Sequence, residues 1–163
     1  MTKVFIDGSA GTTGLRIRER LAGRNDLELV TLPEELRKDL NARKDALNGA
    51  DIAFLCLPDA AAIEAVSLIE SGHVAVIDTS TAHRVAPDWA YGFPELSSGH
   101  RQAIIHSKRV ANPGCHASGF IAGVYPLVRH GVISADFPLT AYSLTGYSGG
   151  GKKLIAEYAD EKR

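Results

Sequence analysis

Cysteine is scarce in this chain, which has two, Cys56 and Cys115, among 163 residues. Two cysteines cannot build the disulfide framework of a small secreted domain, so both are interpreted as free thiols. The six histidines are scattered without the spacing of metal ligands. We therefore expect no metal site.

A surplus of charge and long apolar runs are also missing. Lys and Arg number 18 and Asp and Glu number 19, for a formal net charge of −1. This balance lacks the basic patch of a nucleic-acid-binding domain, so we expect no nucleic-acid partner and a small-molecule ligand instead. The apolar runs are too short to cross a bilayer, and residues 1–3 lead into a strand rather than a signal peptide. We expect no membrane association and a cytoplasmic location.

What the chain does contain is an alternation of strands and helices, with 45% hydrophobic residues. That content can bury one core and part of a second. Strands are predicted at residues 3–7, 27–32, 52–57, 74–78 and 109–111. A first helix is predicted at 15–21, and an Ala-rich helix capped by Asp59 runs toward residue 71. The alternation predicts a doubly wound parallel sheet. Residues 139–145 alternate like a strand of a half-exposed sheet, and residues 146–153 form a loop that opens a last helix.

A glycine-rich loop follows the first predicted strand directly. Its glycines have the G-x-x-G-x-x-G spacing of a dinucleotide-binding turn, in which backbone amides approach an anion. A tight turn without a ligand is the alternative. A Walker A loop is excluded because no Gly-Lys-Ser/Thr follows. The candidate cofactor-binding residues of this loop are Gly8, Ser9, Ala10, Gly11, Thr12, Thr13 and Gly14.

Cys115 stands in the segment Asn-Pro-Gly-Cys-His-Ala-Ser, residues 112–118, and the apolar run 120–125 after it is predicted to be a buried helix. In the first turn of a helix, unpaired amides and the positive end of the helix dipole favour a thiolate and can hold an oxyanion. An inert, buried cysteine is the alternative reading. Cys56 lies inside an apolar run and is predicted to be a core residue.

Loops at the carboxyl ends of parallel strands line a common cleft, which adds three candidate cofactor contacts, Leu57, Pro58 and Ser80. The second strand is not followed by the acidic residue that binds the ribose of NAD. Instead, Arg37 and Lys38 supply cations there, and we predict NADP over NAD. Glu34 and Glu35 leave the alternative open, since either can meet a ribose hydroxyl.

Several motifs together resemble the N-acetyl-gamma-glutamyl-phosphate reductases, specifically their shorter type. They are the glycine loop, Cys-Leu-Pro-Asp at 56–59, Asp-Thr-Ser-Thr-Ala-His-Arg at 78–84, Tyr-Gly-Phe-Pro-Glu-Leu at 91–96, Asn-Pro-Gly-Cys-His at 112–116 and Gly-Tyr-Ser-Gly-Gly-Gly-Lys-Lys at 146–153. They follow the family's order along essentially the whole chain. Aspartate-semialdehyde dehydrogenases are the related alternative, but they usually have Cys-Ser-Thr after the Asn and lack the stretch 81–84.

The resemblance implies an α/β fold, with a Rossmann-like NADP-binding doubly wound sheet over residues 1–114. Residues 115–163 then form the start of a second, α+β catalytic and dimerisation domain. Family members are longer, and their general acid/base histidine is expected beyond residue 163. His116 is interpreted as structural. The whole protein is expected to be a homo-oligomer, a dimer or a tetramer.

The resemblance also implies NADPH-dependent reduction of an acyl phosphate, N-acetyl-glutamyl 5-phosphate, through a thioester on Cys115. Arg84 and Asn112 are candidate substrate residues, with Arg84 gripping a carboxylate or phosphate; a plain surface arginine is the alternative. Ser148, Gly149 and Gly150 are expected near the nicotinamide. A non-catalytic nucleotide-binding module remains a third function class.

Overall fold

The computed structural model describes residues 1–159, except the side chains of Ser148, Lys152 and Lys153. The chain divides into two compact units, Met1–Gly114 and a second that begins at Cys115. The predicted cofactor contact of the Ser148 side chain lies outside the described residues.

The first unit is an α/β fold around one parallel sheet. Its strands are β1 (Thr2–Asp7), β2 (Leu27–Val30), β3 (Ile52–Leu55), β4 (Ala75–Asp78), β5 (Ala90–Tyr91) and β6 (Arg109–Ala111). Its helices are α1 (Thr12–Leu21), α2 (Leu40–Asn48), α3 (Asp59–Ser67) and α4 (Ser98–His106), with 3-10 turns at Glu34–Leu36 and Pro94–Leu96. The strand order is β2-β1-β3-β4-β6-β5, and every neighbouring pair is parallel. The predicted parallel α/β fold is confirmed.

The core lies where α2 and α3 pack against one face of the sheet. Small residues of α3, Ala62 and Ala65, are completely buried, and so is Leu47 of α2. They pack with Leu55 and Val76 of the two central strands. Alanine at these positions lets the helix approach the strands closely, which excludes water from both partners. This packing fixes the carboxyl ends of β1, β3 and β4 relative to one another.

The start of α3 differs from the prediction. Asp59 was expected as its cap, but Pro58 occupies the capping position and Asp59 is the first helical residue. The Asp59 carboxylate instead accepts hydrogen bonds from the backbone amide and hydroxyl of Thr81. These bonds hold the pKa of Asp59 below its ordinary value. The helix ends at Ser67, four residues before the expected end.

The second unit contains α5 (Cys115–Arg129), a 3-10 turn at Tyr147–Gly150 and α6 (Gly151–Ala159). Helix α5 begins at Cys115, as predicted, but none of its residues is buried, and the Phe120 side chain is 44% exposed. The expectation of a buried helix at 120–125 is wrong.

The predicted strand at 139–145 is also wrong. These residues form neither helix nor strand, and Tyr142 and Leu144 are exposed. No strand occurs among the described residues 115–159. An alternating pattern alone cannot form a strand because the backbone needs a neighbouring strand to complete its hydrogen bonds.

Candidate functional site

A groove of about 650 Å³ opens at the carboxyl ends of β1 and β3. Five of the predicted cofactor contacts line it, namely Gly8, Ser9, Ala10, Arg37 and Leu57. Leu32 and Ala61 add apolar lining, and Glu34, Glu35 and Lys38 add charged side chains. A mixed apolar and charged cleft of this size suits a nucleotide.

The backbone conformation at Gly8 explains why the loop needs glycine. Gly8 has φ of +83°, and a Cβ there would lie 2.3 Å from the carbonyl oxygen of Cys56. A Cβ at Gly14 would lie 2.4 Å from the carbonyl oxygen of Gly8. The loop therefore packs directly against the β3 end and the start of α1, with no room for side chains at these two positions.

The start of α1 provides amides for an anion. Gly11 occupies the capping position, no side chain among the described residues caps the helix there, and its first turn carries no acidic residue. The amides of Thr12, Thr13 and Gly14 are the first in the helix, where intrahelical partners are missing. Such a helix start attracts an anion through these amides and the helix dipole.

A buried ion pair beside the loop was missed at the level of sequence. Arg43 of α2 donates from Nε and Nη2 to one oxygen of Asp7, at 3.1 and 3.0 Å, and from Nη1 to Glu64 at 2.8 Å. Burial raises the pKa of Asp7, and the hydrogen bonds and charge of Arg43 offset part of that rise. Burial lowers the pKa of Arg43, but its bonds to Glu64 and Asp7 outweigh this effect and raise it. The signal in the sequence for this ion pair is Asp7, an acidic residue that ends an apolar strand. A carboxylate buried there requires a partner.

A second missed cluster follows β4. The fully buried carboxylate of Asp78 accepts from the amide and hydroxyl of Ser80, at 2.9 and 2.6 Å, and lies 2.6 Å from Nδ1 of His83. The His83 ring stacks on Trp89 with centroids 4.1 Å apart. The Ser80 hydroxyl therefore faces Asp78, and its role as a cofactor contact stays a prediction.

The two predicted substrate residues lie together. Arg84 donates from Nε to the carbonyl oxygen of Asn112, at 3.1 Å, and from Nη2 to that of Thr79, at 3.2 Å. The Asn112 side chain is exposed and donates to the carbonyl oxygen of Pro113. These bonds tie the loop after β4 to the segment that follows β6.

In the second unit, Cys115 is exposed at the first residue of α5. It lines a groove of about 880 Å³ together with His116, Phe120 and residues 140–146. The His116 ring forms a hydrogen bond with the Ser143 hydroxyl. Gly149 and Gly150 lie in the 3-10 turn before α6, and their contact with a nicotinamide stays a prediction.

We expect Cys115 to be alkylated by iodoacetamide at least about tenfold faster than Cys56 in the native chain at pH 8. Burial raises the pKa of Cys56 to about 11. Because thiolate is the reacting form, alkylation of Cys56 should increase roughly tenfold per pH unit up to that value. Peptide mass spectrometry over time at several pH values measures both rates, with the urea-unfolded chain as control. Equal native rates would contradict an activated thiolate at Cys115.

No cluster of three or more His, Cys, Asp or Glu side chains suited to a metal ion occurs among residues 1–159. None of the helices within these residues combines the length and the hydrophobicity needed to span a bilayer.

Comparison with known proteins connects this geometry to a family. Residues 3–104 match the family described as "Semialdehyde dehydrogenase, NAD binding domain". The N-acetyl-gamma-glutamyl-phosphate reductase of Burkholderia lata is 56% identical over 152 residues, which are 93% of this chain and 48% of that protein. The chain spans about half the length of the curated relatives it matches. The resemblance found in the sequence motifs is confirmed.

Solved structures show the same fold. An aspartate semialdehyde dehydrogenase from Francisella tularensis aligns with a TM-score of 0.68 at 19% identity, over 96% of this chain and 48% of that one. Another, from Candida albicans and solved with NADP, aligns with a TM-score of 0.54 at 18% identity, over 79% of this chain and 47% of that one. Through its nucleotide-binding unit, the chain belongs to the semialdehyde dehydrogenase family.

Proposed function

We propose that the first unit binds NADP. The observation that carries this proposal is the geometry of the glycine loop. A Cβ at Gly8 or Gly14 would collide with backbone atoms, and helix α1 begins there without a capping side chain among the described residues. These residues fit a dinucleotide, with its pyrophosphate on the amides of residues 12–14 and its adenosine half in the groove beside Leu32 and Leu57. The NADP named with the Candida albicans structure agrees with this assignment.

We further propose that the whole protein reduces N-acetyl-glutamyl 5-phosphate to the semialdehyde and phosphate. The Cys115 thiolate attacks the acyl carbon, the bond from carbon to the phosphate oxygen breaks, and the departing phosphate takes up a proton from the solvent, so that a thioester remains. Amides at the start of α5 stabilise the oxyanion that forms during the attack. NADPH, when bound, supplies the hydride that turns the thioester into the aldehyde and frees the thiolate. The 56% identity to named reductases supports this substrate.

Roles for Arg84 and Asn112 belong to the same proposal. Arg84 already donates to two carbonyl oxygens, so it both fastens the loop 79–84 and keeps other N–H groups for a carboxylate or phosphate.

We also propose that the whole protein is a cytoplasmic homo-oligomer that acts on this small molecule.

An assay with two acyl phosphates tests the substrate. The whole protein, with any residues encoded beyond Arg163, is mixed with NADPH and either N-acetyl-glutamyl 5-phosphate or β-aspartyl phosphate. We expect kcat/KM to be at least about 100-fold higher with the first. Preference for the second would make the protein an aspartate-semialdehyde-type dehydrogenase. Binding of NADPH without reduction of either would leave a nucleotide-binding module.

Arg37→Ala tests the choice of cofactor. Arg37 lines the groove where the ribose phosphate of NADP is expected, and charge-assisted hydrogen bonds to phosphate are strong. We expect the variant to bind NADPH about tenfold or more weakly in calorimetry while its NADH affinity changes less than about twofold. Arg16→Ala is the control, because Arg16 is exposed on α1, pairs with Glu19 and does not line the groove. Tighter binding of NADH than NADPH by the unmodified chain would refute the prediction.

A further inference from the structure

The ion pair of Arg43 and Asp7 is buried and yet faces the groove. The two residues are 7% and 4% exposed, and both line the groove wall. Arg43 donates twice to Asp7 and once to Glu64, which leaves two of its five N–H groups outside these bonds. A charged side chain with spare donors in the wall of a ligand groove can act on an anion that enters it.

The charges of this cluster do not cancel. Two carboxylates share one guanidinium: Glu64 is 48% exposed and partly screened by water, whereas Asp7 is buried and directly precedes Gly8, where the glycine loop begins. A cluster with net negative charge beside the loop that would hold the pyrophosphate opposes anion binding. Neutralising one of its two carboxylates should therefore strengthen the binding of an anion.

Other charges at the groove are of a different kind. Glu34, Glu35, Arg37 and Lys38 are exposed, so water and salt screen them. Arg43 and Asp7 are screened much less because they are buried. Each of these two buried charges therefore affects the binding of an anion more strongly than each exposed charge does.

We propose that Arg43 and Asp7 set the affinity of the groove for an anionic dinucleotide. Arg43 attracts the phosphates, while the negative charges of Asp7 and Glu64 offset part of this attraction and lower the affinity. The inference rests on the proposed function in one respect, that a nicotinamide dinucleotide occupies this groove.

Single-charge variants of the 163-residue chain test the inference by calorimetry with NADP⁺. Removal of one buried charge should change the affinity for NADP⁺ by roughly five- to tenfold. The change should have one direction for the carboxylate and the opposite direction for the guanidinium. Asp7→Asn is expected to bind more tightly and Arg43→Gln more weakly. Lys44→Gln is the matched control, because Lys44 is the next residue of α2, pairs with Glu70 and does not line the groove; its affinity should not change.

Adenosine separates charge from shape. It carries no charge, so its affinity, measured by NMR titration, should be the same in all variants. A merely structural role would change the binding of adenosine and NADP⁺ together. The difference between Asp7→Asn and the unmodified chain should also shrink as salt is raised.

Weaker NADP⁺ binding by Asp7→Asn, or equal losses for adenosine, would overturn the inference while leaving the dinucleotide site in place. If Arg43→Gln does not fold, Asp7→Asn and Glu64→Gln carry the test, since both are expected to tighten binding. Failure of the unmodified chain to bind NADP⁺ would refute the proposed site and the inference with it.

Discussion

Cys115→Ser in the whole protein should lower kcat for the acyl phosphate by at least about 1,000-fold and leave NADPH affinity within about twofold. The expected loss is large because a serine hydroxyl is a far weaker nucleophile than a cysteine thiol, and the Cys115 thiol is exposed at the start of α5. Stopped-flow absorbance of NADPH and calorimetry measure the two quantities separately.

Cys56→Ala is the control for this experiment. The Cys56 thiol is partly buried with a pKa raised to about 11, so it is not placed to act as a nucleophile. We expect this variant to keep most of its activity. A Cys115→Ser protein that still reduces the acyl phosphate would exclude the thioester, whatever the control shows.

Gly8→Ala should lower the free energy of unfolding by about 2 to 5 kcal/mol and abolish measurable NADPH binding. The added methyl group would lie 2.3 Å from the carbonyl oxygen of Cys56, and alanine at φ of +83° is strained even without that contact. Relief of the clash requires the loop to move away from β3. The loop amides would then no longer converge on one anion.

Urea denaturation of the 163-residue chain measures the loss of stability, and calorimetry measures binding. Gly23→Ala is the matched control, because no heavy atom lies within 4 Å of a Cβ at that position and its φ is not positive. We expect the control to be within about 1 kcal/mol of the unmodified chain. A stable Gly8→Ala chain that binds NADPH would show that the loop is not rigid at Gly8.

In the first unit, the sequence predicted those helices and strands whose local residue pattern agrees with the way they pack in the fold. The strand before Gly8, the glycine loop and the helix after it follow from neighbouring residues, and all three form. Helices α2 and α4 and strand β5 were missed. The two residues of β5 are too few for a pattern, and α4 has no buried residue, so its sequence lacks an apolar face.

Site residues that belong to local motifs are visible in the sequence, whereas those joined by tertiary contacts are not. Gly8 and Arg37 belong to local motifs and line the groove. Arg43 meets Asp7 across 36 positions, and only the packing of α2 beside β1 creates that pair. His83 is close to Asp78 in sequence, but its bond depends on how the chain turns after β4. Contacts that the fold creates are invisible to a search for motifs.

The order of the strands has a consequence for how the chain assembles during synthesis. Strand β5 is made before β6, yet its strand partner within residues 1–159 is β6, which lies between it and β4. The ribosome must therefore release residues up to Ala111 before β5 can gain any strand neighbour. Until then about thirty residues after β4 remain outside the sheet, including His83 and Arg84. The late pairing of β6 thus completes this sheet edge and joins Arg84 to Asn112, so we expect the loop that carries Arg84 to be among the last parts of the unit to become ordered.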